Sequence, residues 1–395
     1  MTSPNLERAL RHADIAVPEE ALAAKLELDR PLRVKLGLDP TAPTVTLGWA
    51  VVLRKLREFQ EMGHIAVLIV GDFTAQVGDP SDRTSQRKRL SAQDVNDYAV
   101  NVLDQFEKVL LRDRLEIRRN SEWLASLDMT GMLELTSAAT VAQMLQRSDF
   151  ANRYEEGSPI SVMEFLYPLL QGYDSVAVEA DVELGGSDQL WNLMMGRVVQ
   201  ERYGQDPQVA LTMPLLVGTD GTHKMSQSLG NYIGVADTPA EMFGKTMSIP
   251  DELMGQWFRL AADFDDDAVE KIEEGLGSGA IHPNEAKRLL ARSVVTLYWG
   301  DGEAIRAEEA FDRVFKEGGA PAEIDSHPLP VGDPIHLPSL IREAFDISGS
   351  EARRMITQGA VKVGDKVVDT QEMARGELAG RTLRVGKRRF IKLVE

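Results

Sequence analysis

The chain has 395 residues, 43% hydrophobic and 27% charged, which is ordinary for a globular protein and long enough for two or three domains with their own cores. It has no cysteine, which excludes disulfides, thiolate metal sites and cysteine nucleophiles. The net charge of -18 argues against a basic nucleic-acid binder, but residues 335–395 hold 12 basic and 8 acidic side chains, so positive potential gathers in the tail.

The first residues show neither a basic n-region nor an apolar h-region, and no apolar run approaches the roughly 20 residues of a membrane span. The expectation is a cytoplasmic protein with no membrane partner. Residues 31–222 alternate between strand and helix patterns. A turn, Asp39-Pro-Thr-Ala-Pro43, precedes residues 47–62, where Leu47, Ala50, Val51, Leu56, Phe59 and Met62 recur at helical spacing and Gly63 ends the pattern. The unbroken apolar run 65–70 follows, as expected for a strand covered on both faces of a parallel sheet. Strand, turn, helix and strand make a βαβ unit whose helix N-terminus faces the mouth of the sheet, where anions bind.

From 238 to 315 the pattern is helical. Thr238-Pro-Ala-Glu241 predicts a capping box, and Pro283 opens a helix through Leu290. Residues 318–338 are rich in glycine and proline, with five prolines from Pro321 onward, and read as a linker. The tail predicts one or two helices, then strands with Gly364-Asp365 as a turn.

Four segments carry chemistry. They are Lys35-Leu-Gly-Leu-Asp-Pro-Thr-Ala-Pro-Thr-Val-Thr-Leu-Gly-Trp49; Gly71-Asp-Phe-Thr-Ala-Gln-Val-Gly-Asp-Pro-Ser-Asp-Arg83; Tyr167-Pro-Leu-Leu-Gln-Gly-Tyr-Asp174 with Gly185-Gly-Ser-Asp-Gln189; and Lys224-Met-Ser-Gln-Ser228. Each alone is a weak pattern. In this order and spacing they closely resemble bacterial tyrosyl-tRNA synthetases, in the branch with a compact C-terminal S4-type domain. The segment 350–363 resembles that domain.

The resemblance implies an α/β fold: a doubly wound, Rossmann-like parallel-sheet catalytic domain, then an α-helical domain, then a small α+β S4-like RNA-binding domain. The expected divisions are 1–222 with an insertion at about 120–180, 223–317, a linker at 318–336, and 337–395. It also implies activation of L-tyrosine by ATP, transfer to tRNA(Tyr), and a homodimer formed through the insertion. Magnesium arrives with ATP as part of the substrate, and no protein-bound metal is expected.

By the same resemblance, Asp79, Tyr167 and Gln171 bind the tyrosine ammonium and Asp174 accepts the phenolic hydrogen. Gln189 lies near the reacting carboxylate. Lys35 stands where many tyrosine enzymes have a second phenol-binding tyrosine. Gly37, Gly48, Gly185 and Gly186 let backbone approach the nucleotide, with Asp39 nearby, and Asp188 takes the ribose. Thr41, Thr46, Trp49, Arg83, Arg87, Lys224 and Gln227 serve the phosphate charge. Arg353, Arg354, Lys362, Lys387 and Arg388 are the expected RNA contacts.

Two motifs depart from the family. Thr46-Leu-Gly-Trp49 stands in place of His-x-Gly-His, and Gln227 in place of the second lysine of Lys-Met-Ser-Lys-Ser. Removing one preorganised donor of this kind typically costs roughly 10²–10³ in rate. Thr46 still offers a hydroxyl and Trp49 an indole N–H. Two readings therefore stand: a working tyrosine–tRNA ligase, or a relative that no longer aminoacylates but binds tyrosine or RNA or makes tyrosyl-adenylate for another acceptor.

Overall fold

The structure is a computed structural model that describes residues 3–78, 92–315, 326–364, 366–386 and 389–395. Asp79, Arg83, Arg87, Lys387 and Arg388 lie outside the described residues. The chain divides into two compact units, Met1–Gly300 and Asp301–Glu395.

In the first unit, six strands form one sheet: β1 (Ile15–Val17), β2 (Arg33–Leu38), β3 (Ile65–Val70), β4 (Leu115–Arg119), β5 (Val182–Gly186) and β6 (Val209–Met213). Their order is β1-β6-β5-β2-β3-β4. All neighbours pair in parallel except β1, which lies antiparallel along β6 at the edge. The apolar run in β3 is buried, with Val67, Leu68 and Ile69 at 0% exposure, as a strand covered on both faces requires. Helix Leu47–Glu61 returns the chain from β2 to β3, packing Leu53, Leu56 and Phe59 on the core.

From β2 the chain steps outward to β3 and β4. From β5 it steps the other way, to β6. β2 and β5 are therefore neighbours at a topological switch point, and open sheets of this kind form their crevice beyond the strand ends there. Between β4 and β5 the chain makes a helical excursion ending in helix Val162–Ala177, which packs on helix Leu190–Arg202. The two helices meet at glycine: a Cβ on Gly172 would lie 2.8 Å from Val199 Cγ2 and 3.3 Å from Gly196 Cα. This close approach fixes the height of the helix that carries Tyr167, Gln171 and Asp174.

The helical part of the first unit contains Pro239–Met247, Met254–Leu260, Asp266–Ser278 and Pro283–Trp299. The Thr238/Glu241 capping box is formed at the first of these. The helix opened by Pro283 runs nine residues past the expected Leu290, because Ala291, Val294 and Val295 continue its buried face.

The second unit begins with helix Asp301–Phe315 and holds β7 (Ser326–Pro328), β8 (Ile335–His336), β9 (Val361–Val363), β10 (Lys366–Val367), β11 (Glu372–Met373), β12 (Thr382–Val385) and β13 (Arg389–Val394). Five of them form a sheet of order β10-β9-β12-β13-β7, packed with helices Leu337–Phe345 and Gly349–Thr357 around Leu340, Ile356, Leu383 and Leu393. Part of the expected linker is therefore sheet: β7 pairs in parallel with β13 and β8 pairs with β11. Proline misled the reading because it removes a ladder donor, yet an edge strand such as β7 tolerates that loss.

Candidate active site

A cavity of about 1370 Å³ opens at the switch point between β2 and β5. Every residue expected to contact tyrosine or ATP that falls among the described residues lines it, except Lys35. Tyr167, Gln171 and Asp174 line it from helix Val162–Ala177, and Thr46, Asp188 and Lys224 line it from other segments.

Asp174 is 3% exposed. Trp123 Nε1 donates to its Oδ1 at 2.8 Å and Asn120 Nδ2 to its Oδ2 at 3.2 Å. Burial pushes its carboxyl up to about 6, against the pull of the Lys35 ammonium and these two donors. A chain of hydrogen bonds continues from there. Asn120 Nδ2 also donates to Thr74 Oγ1 at 2.9 Å, and the Thr74 hydroxyl donates to Asp39 Oδ1 at 2.7 Å. Tyr167 donates its phenol to Asp39 Oδ2 at 3.0 Å. The turn after β2 is thereby tied to the helix 162–177. Gly71 makes the join possible, since a Cβ there would lie 2.0 Å from Asp39 Oδ1.

Asn120, Trp123 and Thr74 were not among the expected site residues. The one sequence signal for Asn120 is its place directly after β4, at the carboxyl end of a parallel strand, where such sheets bind ligands. Nothing local marks Trp123.

Lys35 does not face the cavity. It is 0% exposed and forms an ion pair with Glu183 Oε1 at 2.9 Å. Its Nζ also donates to the Gln171 carbonyl at 2.9 Å and to Ser175 Oγ at 2.8 Å. The expectation of Lys35 among the tyrosine contacts is thus corrected to a position behind them. The reason is the parallel pairing of β2 and β5, which sets Lys35 directly opposite Glu183.

Another part of the wall joins a helix start to the 224–228 segment. Thr46 caps helix Leu47–Glu61, its Oγ1 accepting from Trp49 N–H at 3.3 Å. Gly48 N–H donates to Met225 Sδ at 3.3 Å, and Gln227 Nε2 to the Thr44 carbonyl at 2.5 Å. The 224–228 segment therefore lies against the first turn of that helix. Lys224 pairs with Asp188 Oδ2 at 2.8 Å. Around Gly37 a side chain would meet nothing within 4 Å, whereas at Gly186 a Cβ would lie 2.8 Å from Asp188 Oδ1. Backbone thus reaches the cavity at both strands. Among the described residues no group of three or more His, Asp or Glu is arranged to hold a metal ion.

In the second unit, Arg353 and Arg354 are exposed on helix Gly349–Thr357 and Lys362 is half-buried on β9. Arg384 lies opposite Lys362 in the sheet, its guanidinium 5.1 Å from the centre of the Phe390 ring.

A family model described as tRNA synthetases class I (W and Y) matches residues 27–316. The chain belongs to this family. Its relatives include a tyrosine--tRNA ligase of Carboxydothermus hydrogenoformans, 46% identical over 388 residues that cover 96% of this chain and 94% of that protein. A tyrosine--tRNA ligase of Thermotoga maritima is 44% identical over 382 residues, covering 95% and 94%. A crystal structure of tyrosyl-tRNA synthetase complexed with L-tyrosine from Archaeoglobus fulgidus shares the fold, with a TM-score of 0.62 at 24% identity over 77% of this chain and 98% of that one.

Proposed function

We propose that this chain is a tyrosine–tRNA ligase, which joins L-tyrosine to ATP as tyrosyl-adenylate and passes the tyrosyl group to tRNA(Tyr). The observation that carries the amino-acid specificity is Asp174, a buried carboxylate on the cavity wall held by Trp123 and Asn120. A phenol can donate to it. Phenylalanine cannot, and would leave the carboxylate buried without that hydrogen bond. Near-full-length relatives named for the same reaction support the reading.

Tyrosine lies with its phenol on Asp174 and its ammonium toward Tyr167, Gln171 and Asp79. Gln171 Nε2 donates to Glu183 at 3.1 Å, which leaves its Oε1 to accept from the ammonium. The carboxylate attacks the α-phosphorus of ATP near Gln189, the bond to the bridging oxygen breaks, and pyrophosphate leaves with its magnesium. No covalent enzyme intermediate forms. The chain contributes position and charge: backbone at Gly37 and Gly185, Asp188 at the ribose, and Lys224 at the phosphates. A ribose hydroxyl at the 3' end of the tRNA then attacks the tyrosyl carbonyl and AMP leaves. Lys224 moves from Asp188 to the phosphates as ATP enters.

The tail holds the tRNA as an S4-like module through Arg353, Arg354 and Lys362, with Lys387 and Arg388. The enzyme works in the cytoplasm as a homodimer. Met129, Leu133, Val141 and Val162, all 61–77% exposed in the excursion between β4 and β5, supply apolar surface for the second copy. The first test is tyrosine-dependent exchange of pyrophosphate into ATP, followed by charging of tRNA(Tyr). Exchange and charging are expected. A protein that binds tyrosine but neither exchanges nor charges would overturn the reading.

A further inference from the structure

Behind the cavity wall lies a second polar cluster that touches no substrate position. Lys35 and Glu183 are 0% and 1% exposed. Burying such a pair is costly unless every polar group around it is satisfied. Here the pair itself is fully bonded, while Gln208 Oε1 beside it has no hydrogen-bond partner. Lys35 reaches Glu183, the Gln171 carbonyl and Ser175 Oγ. Glu183 accepts from Gln171 Nε2 at 3.1 Å, from Ser175 Oγ at 3.3 Å, and from Gln208 Nε2. Lys35 thus grips the helix at Gln171 and Ser175, the residues that bracket Asp174 in sequence, while Glu183 turns the Gln171 amide.

We propose that the buried Lys35–Glu183 pair is a positioning and specificity element: it fixes Gln171 and sets the charge on Asp174 from behind the wall, and so governs discrimination between tyrosine and phenylalanine. This rests on the proposed tyrosine-activating function.

The groups that act on Asp174 come from each element around it. Lys35 on β2 favours its ionised form and Glu183 on β5 opposes it. Asn120, after β4, and Trp123, on helix Ser121–Leu124, donate to it, and Asp39 is joined through Thr74. Lys35 and Glu183 contact the helix that bears Asp174 without lining the cavity. The pair is placed to tune the acceptor without meeting the ligand.

The test uses the full chain and tyrosine itself, following tyrosine affinity by calorimetry from pH 5 to 8 and exchange rates with tyrosine and with phenylalanine. Lys35→Met is expected to raise the pH at which tyrosine binding falls by about one unit. Glu183→Gln, close in shape, leaves the Lys35 charge unshared and is expected to lower it by a similar amount. Lys35→Met is expected to reduce the tyrosine/phenylalanine ratio about fivefold at pH 6, whereas Glu183→Gln, which favours the ionised carboxylate, is expected to keep or raise it, both with KM for ATP unchanged. Opposite shifts from two neighbouring residues are not produced by mere loosening of the fold. Should a single variant fail to fold, Lys35→Met with Glu183→Met removes both charges together. Lys35 acts on Asp174 more strongly than Glu183 does, so the midpoint is still expected to rise and the ratio at pH 6 to fall, by less than with Lys35→Met alone. Folded variants that keep both the pH midpoint and the ratio within twofold would overturn the proposal. Absence of tyrosine-dependent exchange in the unaltered protein would instead overturn the tyrosine-activating function beneath it.

Discussion

Asp174 and Lys224 line one cavity and are held in different ways. Asp174 is 3% exposed and receives hydrogen bonds from two residues that follow β4, with a buried ion pair behind it. Lys224 has a side chain 41% exposed, on a loop, paired with Asp188. In the proposed function Asp174 meets the phenol, and its surroundings are preorganised by the fold, so each polar group depends on its neighbours. Lys224 would meet the phosphates, and its segment is held by separate contacts, as in the bond from Gln227 to the Thr44 carbonyl. Side chains anchored separately can be replaced one at a time, and Thr46 and Trp49 at the start of helix Leu47–Glu61 and Gln227 on the 224–228 segment hold such positions.

The sharpest test of this contrast is Asp174→Ala. Tyrosine should lose its advantage over phenylalanine almost entirely, measured as the ratio of kcat/KM in pyrophosphate exchange. Sites that bind a hydroxyl in this way reject the analogue lacking it by about 10⁴–10⁵, a magnitude for which tyrosine-activating enzymes are themselves the reference case. By contrast, Lys224→Ala should cost about 10²–10³ in exchange rate while tyrosine affinity measured without ATP stays within about twofold. A large loss of tyrosine affinity in that variant would break the separation between the two groups.

Next in size is the pH response. In the proposed function Asp174 accepts the phenolic hydrogen only when ionised, and burial places its carboxyl at about 6. Tyrosine affinity should be flat above about pH 7 and fall on acidification through 6, approaching tenfold per unit well below it. Calorimetric titration checks this. Folding responds with the opposite sign. The native state binds this proton more tightly than the unfolded chain, whose carboxyl stays near 3.8, so protonation between 6 and 3.8 adds to stability.

The smallest effect is expected from Gln227→Lys. It adds one charge on a loop near the phosphates and gives up the bond to Thr44, so exchange should rise by at most about tenfold. A gain of 10³ would mean that phosphate binding is limited by that one missing charge rather than assembled from independent contacts.

Much of the fold was legible in the chain. The run at 65–70, the periodicity of 47–62 and the Thr238/Glu241 cap are local patterns, and each became the element expected. The four ordered motifs placed most cavity residues, because backbone turns and glycines must occur in sequence to make room for a nucleotide. Other features needed the third dimension. Lys35 was expected among the tyrosine contacts, yet β2 lies mid-sheet and its pairing with β5 sets Lys35 against Glu183, so Lys35 is buried. Asn120 and Trp123 reach Asp174 across more than 50 residues of chain, and Lys35 reaches Ser175 across 140. Sequence pattern determined which segments become strand, helix and turn, since those are set by neighbours along the chain. Only the pairing of β2 with β5 and the docking of the 162–177 helix decided which charges are buried and which face the cavity, since burial is set by what packs from elsewhere.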